Sequence, residues 1–259
     1  MENVIYAEAF ATSWLVGMVV MMEIGRRVGI RRLARDPVKG MAGLGVIESS
    51  VFALLALMIA FTFSGAASRF DTRRMLLAEE VNDIGTAYLR LDLLPGGAQP
   101  PLRALFRAYV SARLKAYGKW SDIDAAKAEL ARCEALQKEI WTRAVAATSE
   151  PGAHVEAARL VLPALNDMID ITTTRTMAAR IHPPSIVYAI LFILGLGCAL
   201  LAGYGMAEGT TRSWVHILGF IVLLGISVFV ILDLEYPRIG FIRLDAYDQL
   251  LVDLLQQMK

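Results

Sequence analysis

Charge is missing from long stretches of this 259-residue sequence. Between Lys39 and Arg69 the only charged residue is Glu48, and residues 181–207 and 213–232 carry none. A hydrocarbon core of about 30 Å is crossed by roughly 20 mostly apolar residues in a helix, and each stretch is long enough. The sequence therefore predicts an integral membrane protein.

Other absences narrow the function. The two cysteines, Cys133 and Cys198, lie in segments of different character, so no disulfide is expected. The three histidines show no metal-ligand spacing, and the chain has no nucleophile elbow, phosphate loop or glycine fingerprint. With 26 Lys and Arg against 25 Asp and Glu, it has no net field that would attract nucleic acid. We expect neither an enzyme nor a nucleic-acid-binding protein.

Four helical spans are predicted, at residues 4–25, 42–65, 184–206 and 213–235. The first is the weakest, because it contains Glu8 and Glu23 near its ends. Acidic ends can sit at the level of the headgroups, so the span is kept. The predicted fold class is all-α: two transmembrane hairpins flank a soluble helical bundle.

The chain then divides into residues 1–66 (first hairpin), 67–182 (soluble helical domain) and 183–259 (second hairpin and tail). The middle part shows no sustained alternation typical of strands. Pro95-Gly96-Gly97 and Glu150-Pro151-Gly152 divide it into helical pieces. We expect one long helix to leave the membrane after the second span, since no breaker follows that span.

The orientation of the middle part stays open. The loop between the first two spans carries six basic residues against one acid, which predicts a cytoplasmic loop by the positive-inside rule. The span ends on the opposite side are also rich in arginine. The basic residues on the two sides balance when all span ends are counted.

The second span has one face of small side chains. These residues are Gly45, Ser49, Ala53, Ala56, Ala60 and Ser64. Gly195, Ala199 and Gly203 repeat the pattern in the third span. Small residues let helix backbones approach closely in a membrane, so we expect these two spans to pack together.

A second face of the same span contains Glu48, Phe52, Leu55, Ile59 and Phe63. In one interpretation these residues line a pore, with the carboxylate in a water-filled path and the apolar side chains as constrictions. In the other, Glu48 bonds to a neighbouring helix or reaches the interface, because a lone carboxylate inside a bilayer is costly.

Three segments resemble one family. They are FALLALMIAFTFSGAASRFDTRR followed by EEVNDIGTAYLR (within residues 52–90), Leu165-Asn166-Asp167-Met168-Ile169-Asp170, and Asp233-Leu234-Glu235-Tyr236-Pro237-Arg238-Ile239-Gly240. The chain is similar in them to the bacterial bestrophin-like membrane proteins and, more distantly, to bestrophin ion channels. The aromatic pair that follows the Asp-Arg of bestrophins is absent after Asp71.

The resemblance implies an oligomer, a pentamer in bestrophins, of four-span subunits in the bacterial inner membrane, with the second span lining an ion pore. Asp233 and Glu235 are similar to the acidic stretch near the regulatory calcium site of bestrophins. A cation site at these two residues, and calcium as its ligand, are implied by the resemblance alone. No other cofactor is expected.

Two functions follow from these observations. The first is an oligomeric ion channel whose partners are the bilayer, further copies of the chain and inorganic ions. The second is a non-conducting membrane scaffold or sensor whose helical domain binds a partner. Stoichiometry separates them, because a dimer has no shared axis able to hold a bestrophin-type pore.

Overall fold

A computed structural model describes residues 2–35, 44–118, 123–208, 213–237 and 240–258. The described part is helical and contains no strand. Its helices are α1 (Glu2–Arg35), α2 (Leu44–Arg90), α3 (Gln99–Gly118), α4 (Ile123–Thr148), α5 (Ala157–Arg180), α6 (Ser185–Gly205), α7 (Trp214–Glu235) and α8 (Asp245–Gln257). The all-α prediction is confirmed.

Among the described residues, three helical stretches are long and apolar enough to cross a membrane. They are Gly45–Leu93, Ala157–Gly205 and Trp214–Glu235. They contain the predicted second, third and fourth spans, apart from residues 42–44, residue 206 and residue 213. Residues 42 and 43, like Lys39 in the basic loop, lie outside the described part.

The chain forms two compact units. The first, here called the apolar unit, comprises Met1–Arg69 and His182–Ile239. The second, the polar unit, comprises Phe70–Ile181 and Gly240–Lys259. The boundary falls inside α2, which continues as one helix past Gly65 from its apolar sequence into its charged one.

In the apolar unit α1 lies against α6 at very short distance. A methyl group at Gly25 would lie 1.9 Å from the carbonyl oxygen of Leu200, and one at Gly203 would lie 1.9 Å from that of Met22. Glycine at these positions therefore allows the two backbones to touch. Such close packing is common between membrane helices, because the hydrophobic effect does not drive helices together in lipid and close van der Waals contact does.

Large apolar side chains fill the rest of this unit. The buried cluster is formed by Trp14, Met18, Met22, Leu55, Leu191, Cys198, Ala199, Ile221 and Val228, from α1, α2, α6 and α7. The indole Nε1 of Trp14 donates to the carbonyl oxygen of Phe192 at 3.2 Å. This bond satisfies the one polar atom of a fully buried tryptophan.

The polar unit has a separate core. Its largest fully buried side chains include Phe106 and Tyr109 of α3, Ile140 of α4 and Leu165 and Met168 of α5. The C-terminal helix α8 belongs to this unit and contributes the fully buried Leu251. The predicted organisation had placed residues 240–259 with the second hairpin.

Candidate functional site

The apolar stretch of α2 presents two different faces. One face packs inside the apolar unit: Leu55 is only 2% exposed, and Val51, Met58 and Ile59 are partly buried beside it. The opposite face, which includes Ala53, is exposed. The helix thus has one side committed to its own chain and one side available to lipid, to another copy or to an aqueous path.

Glu48 stands near the start of the packed side. Its side chain is half-buried, and its Oε2 lies 3.5 Å from the position that a methyl group at Gly205 would occupy. The carboxylate therefore approaches the last residue of α6. On the exposed side, the hydroxyl groups of Ser49 and Ser50 both donate to the carbonyl oxygen of Val46, at 3.0 and 2.8 Å.

The apolar residues predicted to constrict a pore occupy different environments. Phe52 meets Phe220 of α7 edge-on, with 5.8 Å between the ring centroids. Leu55 and Ile59 belong to the packed cluster, whereas Phe63 is 45% exposed. Three of these four side chains therefore contact the rest of their own chain. Their role in a pore stays a prediction.

The small residues of the second span lie on the exposed side. Ser49, Ala53, Ala56, Ala60 and Ser64 are all exposed. No helix of the described chain covers them.

The small residues of the third span are buried instead, and α1 is their main partner. A methyl group at Gly195 would lie 2.3 Å from the indole of Trp14, and Gly203 meets Met22. The sequence had suggested α2 as the partner of Gly195, Ala199 and Gly203. The spacing of Gly17, Gly25 and Gly29 in α1, at multiples of four, was the signal for the actual pairing.

A buried cluster of charged side chains lies in the apolar unit at the C-terminal end of α7. The Nε of Arg69 donates to Oε1 of Glu235 at 2.7 Å, and its Nη2 donates to the same oxygen. The Nδ1 of His182 lies 3.1 Å from Oε2. The His182 ring stacks on Tyr236, with 5.0 Å between centroids. The Glu235 side chain is fully buried, so both its oxygens are held by protein partners.

This arrangement bears on the predicted cation site at Asp233 and Glu235. Both residues are buried, but Arg69 already supplies a positive charge to Glu235. A cation that binds this carboxylate would have to compete with the guanidinium. In the described part of the chain, no three His, Cys, Asp or Glu side chains are grouped to hold a metal ion. Sequence reasoning missed Arg69 and His182, since no spacing rule joins residues so far apart.

The polar unit contains a second buried carboxylate. Arg113 donates from Nε to Oε1 of Glu80 at 2.6 Å, and Arg175 forms an ion pair with the other oxygen. The hydroxyl of Tyr117 donates to Glu80 at 3.3 Å and accepts from Arg175 at 2.5 Å. The cluster joins α2, α3 and α5 through paired charges, which removes the cost of a lone buried carboxylate.

Burial raises the pKa values of Asp83, Tyr109 and Cys133 in the polar unit. Burial, with the nearby carboxylates of Glu79 and Asp167, raises the pKa of Asp83 above 3.8. Burial raises the pKa of Tyr109 to about 12, although Gln137 donates to its hydroxyl at 3.1 Å. Burial likewise raises the pKa of Cys133, so this thiol stays protonated near neutral pH.

Comparison with known proteins gives one finding for nearly the whole chain. The family model described as a bestrophin-like domain matches residues 12–246. No curated protein sequence and no solved structure matches. The matched region includes all three membrane-length helices and most of the polar unit. This chain belongs to the bestrophin-like family.

Proposed function

We propose that this protein is an oligomeric ion channel of the bacterial inner membrane, built from four-span subunits around an axis lined by α2. Family membership supports conduction, because it connects the chain with bestrophin ion channels. The three membrane-length helices support a bilayer location. A pentamer is the assembly that the family resemblance favours, and no enzymatic activity is proposed.

The fourth span in this proposal is α1. Its outward side carries the exposed apolar residues Val16, Val19, Val20 and Ile24, while its inward side packs on α6. An apolar surface of this length is unusual in contact with water and is ordinary in contact with lipid. Trp14 of α1 is buried in a cluster with residues of α2, α6 and α7, which holds α1 within the apolar unit.

The observation that carries the pore assignment is the exposed side of α2. It has no charged side chain from Val46 to Ser68, and Leu57, which is 50% exposed, is a large apolar residue near its middle. Copies arranged around an axis through this side would leave the packed side intact. A ring of Leu57 side chains would form a constriction that opens by wetting, as in other hydrophobic gates.

Two cysteine substitutions two residues apart test this assignment. In a Cys133→Ala, Cys198→Ala background, we expect Leu57→Cys to react with a water-soluble thiol reagent that then reduces flux from proteoliposomes. Leu55→Cys, on the packed side, should react slowly and leave flux unchanged. If both cysteines are equally protected from the reagent in a protein that conducts, the exposed side of α2 does not line the pore.

The second candidate is a non-conducting scaffold or sensor. The separate core of the polar unit favours it, because a domain with its own core can bind a partner without a pore. This candidate predicts a monomer or dimer in detergent and no ion flux from purified protein. A larger oligomer that conducts would exclude it.

A further inference from the structure

We propose that the arginines at the C-terminal end of α1 bind the phosphate groups of anionic lipids at the membrane surface. The site consists of Arg27, Arg31, Arg32 and Arg35. It rests on the placement of α1 as a span, and it does not depend on conduction.

The helix extends beyond its last contact with α6. A methyl group at Gly29 would lie 2.8 Å from the carbonyl oxygen of Tyr204 and 2.5 Å from Cβ of Ala207, where α6 ends. From Ile30 to Arg35 α1 continues as a helix for about 9 Å. Arg31, Arg32 and Arg35 are exposed on this extension.

The sequence order along α1 puts this extension at the lipid headgroups. Ile24 is the last exposed apolar side chain before the first arginines, Arg26 and Arg27. The headgroup region is about 5–8 Å thick on each side of the core, so Arg27, about 5 Å beyond Ile24 along the helix, falls within it. Arg31, about 10 Å beyond Ile24, lies at its outer edge, and its long side chain can reach back toward the phosphates. Trp214, 56% exposed, begins α7 after the short connection from α6, at the depth where tryptophan is enriched.

The charges of the extension are available to a partner. Arg27 pairs with Glu23 at 2.8 Å on the surface. No carboxylate of the described residues forms an ion pair with Arg31, Arg32 or Arg35. Guanidinium groups keep their charge and can hold a phosphate through two parallel hydrogen bonds.

Exposed apolar residues among the arginines identify the partner as a lipid. Val28 and Ile30 are both exposed within the basic segment. Apolar and basic side chains on one exposed helix fit the boundary between headgroups and acyl chains, where both are satisfied. A cluster of four or more basic residues beside a span binds anionic headgroups by charge complementarity.

The test uses full-length protein with a bimane label on Ala34→Cys in the Cys133→Ala, Cys198→Ala background. The protein is reconstituted into phosphatidylcholine and phosphatidylglycerol in equal parts. In one preparation the phosphatidylcholine carries a nitroxide near the top of its acyl chain, and in the other the phosphatidylglycerol carries it. The ratio of the two quenching efficiencies gives the preference of the labelled site for one lipid over the other. We expect stronger quenching by phosphatidylglycerol, with a preference that weakens as salt is raised.

Substitutions at Arg31, Arg32 and Arg35 then identify the site. Changing all three to Gln should lower the preference by up to about fivefold for each arginine in contact. Changing all three to Lys should preserve most of it. The control is a label on Val215→Cys, at the start of α7, whose preference should not respond to either set.

Three results would decide against the proposal or its premise. Equal quenching by the two lipids in the wild type, or an unchanged preference after the Gln substitutions, would overturn the lipid site. A bimane on Val19→Cys reports insertion of α1 separately. Absence of lipid quenching there would overturn the placement of α1 as a span.

Discussion

Arg69 and Glu235 stand 166 residues apart in the chain, yet the guanidinium of one holds the buried carboxylate of the other at 2.7 Å. Arg69 belongs to α2, the proposed pore helix, and Glu235 is the last residue of α7. The pair therefore ties the end of the apolar stretch of α2 to the fourth predicted span. His182, just before α6, completes the link.

The two partners should not contribute equally to stability. Arg69→Gln leaves Glu235 buried without its main counter-charge, and we expect it to lower the free energy of unfolding by about 3 kcal/mol. Glu235→Gln should cost less, because Arg69 is a quarter exposed and can reach water. Thermal unfolding in detergent measures both. The control, Arg143→Gln, removes a surface pair and should cost less than about 1 kcal/mol. Equal losses at all three sites would contradict the role of the pair.

Close contact of α1 with α6 gives a second prediction. Gly203→Ala places a methyl group against the Met22 carbonyl, and overpacking of this kind costs about 1–3 kcal/mol. Gly197→Ala, in the same helix, meets nothing within 4 Å and should be neutral or stabilising. The comparison of unfolding midpoints checks the prediction. A harmless Gly203→Ala would mean that the backbones are farther apart than described.

Asp83 predicts a pH dependence of the polar unit. Its pKa is raised in the folded state, so the folded protein holds the proton at pH values where the unfolded chain has lost it. Stability therefore falls as the pH rises from 3.8 through the folded-state pKa, and the penalty stays constant above it.

Asp83→Asn removes this penalty. We expect the variant to unfold at a higher temperature than the wild type at neutral pH, with a gain that disappears below pH 3.8. Asp124→Asn is the control, because that side chain is 96% exposed. A gain of the same size at every pH would show that ionisation of Asp83 is not the cause.

The sequence was informative where one local rule decides the structure. Absence of charge over a helix length located the predicted second, third and fourth spans, and the family segments identified the family. The small face of the third span was recognised as a packing surface, but its partner was not. Periodicity tells which residues share a face, whereas the partner depends on the glycines of another helix, here Gly25 and Gly29.

The candidate site shows the same limit. Periodicity grouped Glu48 with Phe52, Leu55 and Ile59 correctly as one side of a helix. It could not tell whether that side meets water or protein, because burial is a property of the folded chain. For the same reason the sequence did not reveal the partner of Glu235, for which the resemblance implied a cation site, since Arg69 is distant in sequence.

Ion selectivity is the subject of the last prediction, which rests on the proposed channel. In one interpretation of the sequence, Glu48 of every copy faces the pore, and Glu48→Gln would then lower cation permeability. The side chain lies instead on the packed side of α2, near Gly205 of α6. We therefore expect Glu48→Gln to leave the ratio of cation to anion permeability unchanged and to affect stability alone.

Ser49 provides the matched substitution, since it follows Glu48 directly and lies on the exposed side. Ser49→Glu would place a ring of carboxylates at one mouth of the proposed pore, where charge rings concentrate cations. We expect it to shift the reversal potential, measured with purified protein in liposomes, toward the equilibrium potential of the cation. A shift with Glu48→Gln and none with Ser49→Glu would assign the pore to the other side of α2. Leu57→Ala is included because it widens the constriction that could otherwise keep an intact channel closed. If the wild type, both variants and Leu57→Ala all carry no current, the scaffold becomes the better-supported function.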